Sequence, residues 1–147
     1  MAATLVIYRG LPGSGKSTTA KEWVSNNPGR RARVNRDSLR AMMHDGYRTK
    51  VTEEQVTAAQ YAMIEALLSR GTSVACDDTN LRDDVVETMR DIASRSGAEV
   101  EIVDRRNVPL ELCLLGNSSP DRVAAGTVVP EDAIRQMYRD YILNKGD

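Results

Sequence analysis

Residues 10–17 read GLPGSGKS, which matches the pattern G-x-x-x-x-G-K-[ST]. The motif follows a short apolar run, TLVIY at 4–8, and precedes a helix-compatible stretch at 16–26. In that setting the backbone N–H groups of the loop converge on an anion, and the helix N-terminus adds partial positive charge. The motif therefore predicts a phosphate-binding loop, or P-loop.

The residue types of this loop predict a nucleoside triphosphate as its ligand. Gly10, Gly13 and Gly15 permit backbone conformations that other residues resist. Lys16 can reach the β- and γ-phosphates, and the Ser17 hydroxyl can ligate Mg²⁺. We therefore expect a nucleoside triphosphate and Mg²⁺ as cofactors. The residues expected to bind the nucleotide are Gly13, Ser14, Gly15, Lys16, Ser17 and Thr18.

Two further predicted strands end in carboxylates, VNRD at 34–37 and ACDDTN at 75–80. Because ligands of open α/β sheets gather beyond the carboxyl ends of the strands, we expect Asp37, Asp77 and Asp78 to lie near the P-loop. A phosphotransferase needs a carboxylate there to orient the acceptor hydroxyl.

The same carboxylates also have architectural interpretations. Asp37 could be only the N-cap of a helix beginning near Ser38. Asp77 or Asp78 could cap the following helix, or hold the water shell of Mg²⁺.

The elements that would position these residues alternate between strand and helix. Strands are predicted at 4–8, 32–34, 72–76 and 98–104, with helices at 16–26, from about 38, at 83–95, at 110–115 and after Pro130. A capping box at 52–55 predicts a long helix that Gly71 closes. Its predicted inward positions are Val56, Ala59, Met63, Ile64, Leu67 and Leu68. This alternation predicts an α/β fold with a central parallel sheet flanked by helices on both faces.

Composition indicates a single domain, residues 1–147, of ordinary globular character, with 41% hydrophobic and 28% charged residues. No apolar run approaches the roughly 20 residues that span a bilayer, so we expect a cytoplasmic protein without membrane contact. Cys76 and Cys113 each lie in an apolar stretch and are expected to be buried free thiols. Arg outnumbers Lys sixteen to four, and its planar fork suits phosphate.

Other nucleotide-dependent classes fit less well. A GTPase needs a base-reading N-K-x-D after a buried strand, and the nearest match, NKGD at 144–147, follows the last predicted helix. A motor or oligomeric ATPase would normally need a longer chain. A small phosphotransferase needs only a P-loop, an acidic group and Arg residues that neutralise the transferring phosphoryl group.

Four segments together resemble the kinase half of the bacteriophage polynucleotide kinase-phosphatase family and its relatives in RNA repair. They are GLPGSGKST, VNRDSLR, DDTNLR and VPEDAIRQMY, in that order along nearly the whole chain. The resemblance implies a P-loop kinase of phage or bacterial type that transfers the γ-phosphate of ATP to the 5′-OH end of DNA or RNA. No D-x-D-G-T motif of a phosphatase half occurs in the sequence.

The resemblance also implies roles for particular residues beside Lys16. Asp37 matches the general base, and Arg40 matches the Arg that contacts the transferring or substrate phosphate. Asp78 matches a carboxylate expected to orient Arg40 or the acceptor, and Asp77 is expected nearer the metal, which Ser17 also ligates.

The lid is where this sequence departs from the family. Residues 117–127, NSSPDRVAAGT, read as a mobile loop. The family carries Arg residues there that close over the ATP phosphates, but the aligned position is Gly116. Arg122 is then the one Arg of the loop that could serve as the lid Arg, and the alternative for it is a solvated loop position.

Two other functions remain open at this point. A small-molecule kinase acting on a sugar, nucleoside or antibiotic would also use a P-loop and strand-end Asp residues. A nucleotide-binding module without turnover would need neither Asp37 nor Arg40.

Overall fold

Four parallel strands form the central sheet: β1 (Thr4–Arg9), β2 (Arg31–Arg33), β3 (Ser73–Cys76) and β4 (Glu99–Asp104). The computed structural model describes residues 2–144. The strand order is β2-β3-β1-β4, so β1 is an interior strand paired with β3 and β4. Burial on both faces explains why β1 reads as a continuous apolar run.

Within residues 2–144, seven α-helices connect or follow the strands. They are α1 (Lys16–Ser25), α2 (Arg36–His44), α3 (Lys50–Ser69), α4 (Asp83–Arg95), α5 (Leu110–Asn117), α6 (Pro120–Ala125) and α7 (Glu131–Tyr138), and a π-helical turn at Arg139–Leu143 continues α7. None of the helices within residues 2–144 is long and apolar enough to cross a membrane.

Alternate residues of β1 face two separate cores. Leu5 and Ile7 pack with apolar residues of α2, α3 and α4 on one face of the sheet. Val6 and Tyr8 pack with Ala20 of α1 on the other. The predicted α/β fold, with a parallel sheet between helices, is confirmed.

A third apolar cluster joins the P-loop to the C-terminal helices. Leu11 of the P-loop and Leu81, just after β3, pack with Cys113 of α5 and Ile134 of α7. This cluster fixes α5 and α7 above the carboxyl end of the sheet. Cys113, like Cys76 in the first core, is a buried free thiol, as expected.

The start of α2 differs from the sequence prediction. The helix begins at Arg36, and its N-cap is Asn35, whose side-chain oxygen accepts a hydrogen bond from the Ser38 N–H at 3.0 Å. Asp37 lies inside the first turn, so its interpretation as the N-cap was wrong. Asn35 has the extended backbone and short acceptor side chain of an N-cap, which leaves the Asp37 carboxylate free for other contacts.

The start and inner face of α3 also differ from prediction. The capping box is formed by Thr49 and Thr52, so the helix begins at Lys50. Gln60 is buried in the stripe that runs from Val56 to Ile64, whereas Met63, expected inside, is 39% exposed. Gln60 can be buried in this stripe because its amide donates to Cys76 and Asp78.

Residues 117–127 were expected to form a loop, and this secondary-structure prediction was wrong. Ser119 caps α6 and Pro120 occupies its first turn, while Gly126 ends it with φ of 70°. Ser, Pro and Gly are favoured at these three positions of a helix, so residues that look like loop formers are helix boundaries here.

Candidate active site at the carboxyl end of the sheet

The P-loop connects β1 to α1 and requires its glycines for two reasons. Gly13 and Gly15 have φ of 83° and 92°, the left-handed region that glycine enters without strain. Gly10 is not in that region, and instead lacks room for a side chain, since a Cβ would lie 2.8 Å from the Ser14 hydroxyl oxygen. The expectation that glycine is needed for its backbone conformation therefore holds for Gly13 and Gly15. Gly10 is needed instead because neighbouring atoms leave no space for a side chain.

Helix α5 packs directly against the P-loop backbone. A Cβ built on Gly116 would lie 2.2 Å from the carbonyl oxygen of Gly13, and one on Gly13 would lie 2.1 Å from the carbonyl oxygen of Cys113. The two glycines therefore allow two backbones to meet without side chains between them. A side chain at Gly116 is excluded for this packing reason.

Lys16 is buried and folded back over the P-loop. Its ammonium donates to the carbonyl oxygens of Gly10 at 2.9 Å and Leu11 at 2.7 Å, and to the Ser14 hydroxyl at 3.3 Å. Burial lowers the pKa of Lys16 to about 8, and the nearby carboxylate of Asp77 offsets part of this effect. Ser17 is half-buried beside it, and Thr18 is exposed.

Asp77 lies at the end of β3 with both carboxylate oxygens engaged. Arg33 Nε donates to Oδ2 at 2.8 Å, and the Asn35 amide donates to Oδ1 at 3.2 Å. The Asp77 side chain is fully buried. Its charge acts on Lys16, so the carboxylate lies close to the phosphate-binding end of the P-loop.

Asp78 ties the end of β3 to the start of α2 and to α3. Its Oδ1 accepts from the Arg36 N–H at 2.9 Å, and its Oδ2 accepts from the buried Gln60 amide at 2.5 Å. Burial raises the pKa of Asp78, and the hydrogen bond from Arg36 opposes this. The expected contact from Asp78 to Arg40 is not made, since Arg40 is held by other carboxylates. Asp78 positions the backbone immediately before Asp37.

Arg40 is buried between two carboxylates at the mouth of the site. It donates to Asp37 Oδ1 at 2.6 Å and makes two hydrogen bonds of 2.7 Å to the two carboxylate oxygens of Glu53. The hydrogen bond to Glu53 raises the pKa of Arg40. The reciprocal hydrogen bond lowers the pKa of Glu53 to about 2. Asp37 remains 57% exposed at its side chain.

Arg122 of α6 lies over the same region. Its guanidinium donates to the Thr127 carbonyl oxygen at 2.5 Å, but its Nε is buried without a hydrogen-bond partner in the described structure. Burial lowers the pKa of Arg122, and the charge of Asp37 opposes this. Arg122 in turn lowers the pKa of Lys16. Arg122 therefore interacts electrostatically with both Lys16 and Asp37.

Several residues of the site were missed by sequence reasoning. They are Arg33, Asn35, Arg36, Glu53 and Gln60, all of which contact the predicted carboxylates or Arg40. Glu53 was interpreted as part of a capping box. Gln60 alone could have been recognised from the sequence as a buried polar residue. It lies four residues from each of the apolar residues Val56 and Ile64, on the predicted inward face of the helix.

Comparison with known proteins gives the family and the fold. A family model described as an AAA domain matches residues 5–142. A chain in the structure of the Pnkp1/Rnl/Hen1 RNA repair complex is 28% identical with a TM-score of 0.80, covering 99% of this chain and 46% of that chain. Another structure of the Pnkp1/Rnl/Hen1 complex contains a chain that is 32% identical with a TM-score of 0.66, covering 75% of this chain and 37% of the other.

Small-molecule kinases share the fold. The APS kinase CysC of Mycobacterium tuberculosis, in complex with AMPPNP and APS, is 17% identical with a TM-score of 0.65, covering 87% of this chain and 77% of that chain. The chain spans less than half the length of the two repair-complex chains. The fold is that of P-loop kinases. With its family match extending over residues 5–142, the chain belongs to the AAA domain family.

Proposed function

We propose that this protein is an ATP-dependent polynucleotide kinase that phosphorylates the 5′-OH end of DNA or RNA. The observation that carries the proposal is the pair formed by Asp37 and Arg40, 2.6 Å apart on the first turns of α2. A carboxylate next to a fixed guanidinium can accept a proton from a hydroxyl while the guanidinium holds a phosphate. The likeness to chains of the Pnkp1/Rnl/Hen1 complex, described as an RNA repair complex, supports a polynucleotide as the acceptor.

Asp37 has the exposure and the contacts that suit a general base. Oδ1 is occupied by Arg40, whereas Oδ2 has no hydrogen-bond partner among residues 2–144. In the proposed reaction Oδ2 takes the proton of the 5′-hydroxyl as its oxygen bonds to the γ-phosphorus. The bond from the γ-phosphorus to the bridging oxygen breaks, and ADP leaves.

The donor side fits ATP through the P-loop and Arg122. The left-handed Gly13 and Gly15 form an anion cradle, and the buried Nε of Arg122 lacks a partner that a phosphate oxygen would supply. Lys16 would exchange its loop carbonyl partners for phosphate oxygens. Catalysis by these groups is electrostatic, because they meet the charge that develops on the transferring phosphoryl group.

Mg²⁺ would be held by the Ser17 hydroxyl, with Asp77 close enough to receive hydrogen bonds from its water shell. The donor set fits Mg²⁺, which takes oxygen ligands and often keeps several waters. When bound, Mg²⁺ neutralises charge on the β- and γ-phosphates.

Transfer of label from γ-labelled ATP to a 5′-OH oligonucleotide tests the proposal. The same oligonucleotide bearing a 5′-phosphate is the control, since it lacks the acceptor hydroxyl. We expect label only in the 5′-OH strand. Label transferred instead to a small hydroxyl compound would establish a small-molecule kinase, and ATP binding without transfer to any acceptor would establish a nucleotide-binding module.

A further inference from the structure

A cavity of about 510 Å³ lies beside the acceptor-side residues, between α3, α4 and the last helical segment. Residues from three regions define it: Arg36 and Asp78 at one end, Gln60 and Tyr61 of α3 along one wall, and Arg82 and Tyr141 on the other side. No residue of the P-loop lines the cavity within the described structure. The donor nucleotide therefore does not account for it.

The cavity is connected to Asp37 through two of its own lining residues. Asp78 accepts a hydrogen bond from the Arg36 N–H at 2.9 Å, and Arg36 directly precedes Asp37. Arg36 and Arg40 both contact the carboxylate of Glu53. Asp37 and Arg40 do not themselves line the cavity in the described structure, so a molecule in it would be linked to them through Arg36 and Asp78.

The walls of the cavity combine aromatic rings with cationic groups. Tyr61 and Tyr141 both line it, and neither phenol hydroxyl has a hydrogen-bond partner within residues 2–144. Both phenols lie within electrostatic range of Arg82, whose side chain is 62% exposed and pairs with Asp84. Burial raises the pKa of Tyr61, so the ring stays neutral at physiological pH.

A volume of this size falls within the range of pockets that bind small organic ligands. Aromatic side chains stack on nucleobases with little dependence on base identity, and exposed Arg residues contact phosphates. A nucleoside presents a flat base, a sugar hydroxyl and a neighbouring phosphate, which are the groups that this lining would recognise.

We propose that this cavity binds the 5′-terminal nucleoside of the acceptor, with its base against Tyr61 and Tyr141 and the following phosphate near Arg82. The inference rests on the proposed polynucleotide kinase function and adds the subsite that holds the end of the strand. Base stacking in the cavity would fix the terminal sugar so that its 5′-hydroxyl faces Asp37.

The test compares a 5′-OH oligonucleotide carrying a 3′ fluorophore with the same strand lacking the base at its 5′-terminal nucleotide. Affinity is measured by fluorescence anisotropy for the wild-type protein, Tyr61→Leu, Tyr141→Leu and the double variant. Leu preserves apolar packing, and thermal melts identify any variant that does not fold. Tyr47→Leu is the matched control, because Tyr47 is 66% exposed and does not line the cavity.

We expect the wild-type protein to bind the abasic strand about 5- to 100-fold more weakly, the range for stacking of one base. The double variant should bind both strands equally, and Tyr47→Leu should discriminate like the wild type. A wild-type protein that binds both strands equally would overturn the proposal, as would full discrimination by the folded double variant. The abasic comparison in the wild type decides the question even if the variants do not fold.

Label transfer measured on the same two strands tests the cavity assignment separately from the proposed kinase function. Wild-type protein that labels both strands with equal KM retains the kinase function and overturns the cavity assignment. Wild-type protein that labels neither strand overturns the kinase function, and the cavity assignment with it.

Discussion

Glu53 of α3 holds Arg40 of α2 by two hydrogen bonds of 2.7 Å, one from Nε and one from a terminal nitrogen of the guanidinium. This side-on, two-point pairing fixes the plane of a buried Arg whose remaining nitrogen donates to Asp37 at 2.6 Å. The orientation of Arg40 beside Asp37 therefore depends on a residue thirteen positions away on another helix.

Glu53→Gln is predicted to impair turnover while leaving ATP binding intact. Gln removes the charge that fixes Arg40, and misplacing a catalytic group by about 1 Å can cost on the order of 100-fold in rate. We expect kcat to fall about 10- to 100-fold with KM for ATP unchanged, and Glu53→Asp to be partly active. The control is Glu54→Gln, an exposed neighbour on the same helix. Equal kcat in the two Gln variants would contradict the positioning role.

Asp37→Ala is predicted to abolish most of the acceptor chemistry. A positioned general base contributes typically about 10²- to 10⁴-fold, so we expect kcat to fall by that amount. ATP affinity, measured by calorimetry, should remain near the wild-type value, because Asp37 makes no hydrogen bond or ion pair with a P-loop residue within residues 2–144. Asp45→Asn at the other end of α2 is the control, since Asn tolerates its φ of 51°. If Asp37→Ala retained its activity, Asp37 would not be the general base and would be only an acidic residue in the first turn of α2.

Arg122→Lys is predicted to weaken the donor side. Lys keeps a positive charge but cannot supply the buried Nε–H that lacks a partner in the structure. We expect KM for ATP to rise, and kcat to fall by about 10²-fold or more, the usual loss for one electrostatic donor. Arg135→Lys on α7, where an exposed Arg pairs with Glu131 at 3.0 Å, is the matched control. If kcat and KM of Arg122→Lys equalled the wild-type values, Arg122 would have a structural role and would not contact the ATP phosphates.

The lowered pKa of Lys16 predicts that the protein takes up protons when ATP binds. Burial lowers its pKa to about 8 in the free protein, and phosphate oxygens around the ammonium would raise that pKa again. The free protein is therefore fully protonated at Lys16 well below pH 8 and loses the proton as pH rises through 8. Calorimetry in buffers of different ionisation enthalpy should show uptake of about half a proton at pH 8 and little at pH 6.

Lys16→Met is the control for this measurement, since it removes the titrating group and should abolish the uptake. ATP affinity of the wild-type protein should also decline above pH 8. No proton uptake at pH 8, or the same uptake in Lys16→Met, would contradict the assignment.

Gly116→Ala is predicted to disturb the contact between α5 and the P-loop. The added methyl group would lie 2.2 Å from the Gly13 carbonyl oxygen, and overpacking of this kind costs typically about 1–3 kcal/mol. Urea unfolding should register the loss, and ATP titration should show weaker binding because Gly13 must shift. Leu115→Ala is the control, on a neighbouring residue that is 68% exposed. Unchanged stability and affinity in Gly116→Ala would show that α5 does not constrain the P-loop.

Much of the fold could be predicted because its signals are local. Short stretches of sequence were enough to predict the buried strand β1 and the glycines of the P-loop. The same holds for the apolar period of α4, which the structure has at Asp83–Arg95. Helix boundaries were harder to predict, because two residues with similar capping ability lay close together at each one. Asn35 and Asp37 were both possible N-caps of α2, and Thr49 and Thr52 were both possible N-caps of α3. Neighbouring residues with similar capping ability cannot be separated by type alone.

The site was predictable in its residue types and less so in its contacts. Asp37 and Arg40 were expected together because both belong to the VNRDSLR motif, and their positions three apart at a helix start let them meet. Glu53 is thirteen residues from Arg40, and Gln60 is eighteen from Asp78, so their contacts depend on how α3 packs over the sheet. Tertiary packing of that kind leaves no local pattern.

The product of the reaction tests the central claim most directly. A 5′-OH oligonucleotide is incubated with the wild-type protein, ATP and Mg²⁺, and its mass is measured by mass spectrometry, with nuclease digestion to locate the added group. We predict a gain of one phosphoryl group on the 5′-terminal nucleotide, formed together with an equal amount of ADP and about 10²- to 10⁴-fold more slowly with Asp37→Ala. An oligonucleotide whose mass is unchanged, in a sample where ATP binding is demonstrated, would contradict the account.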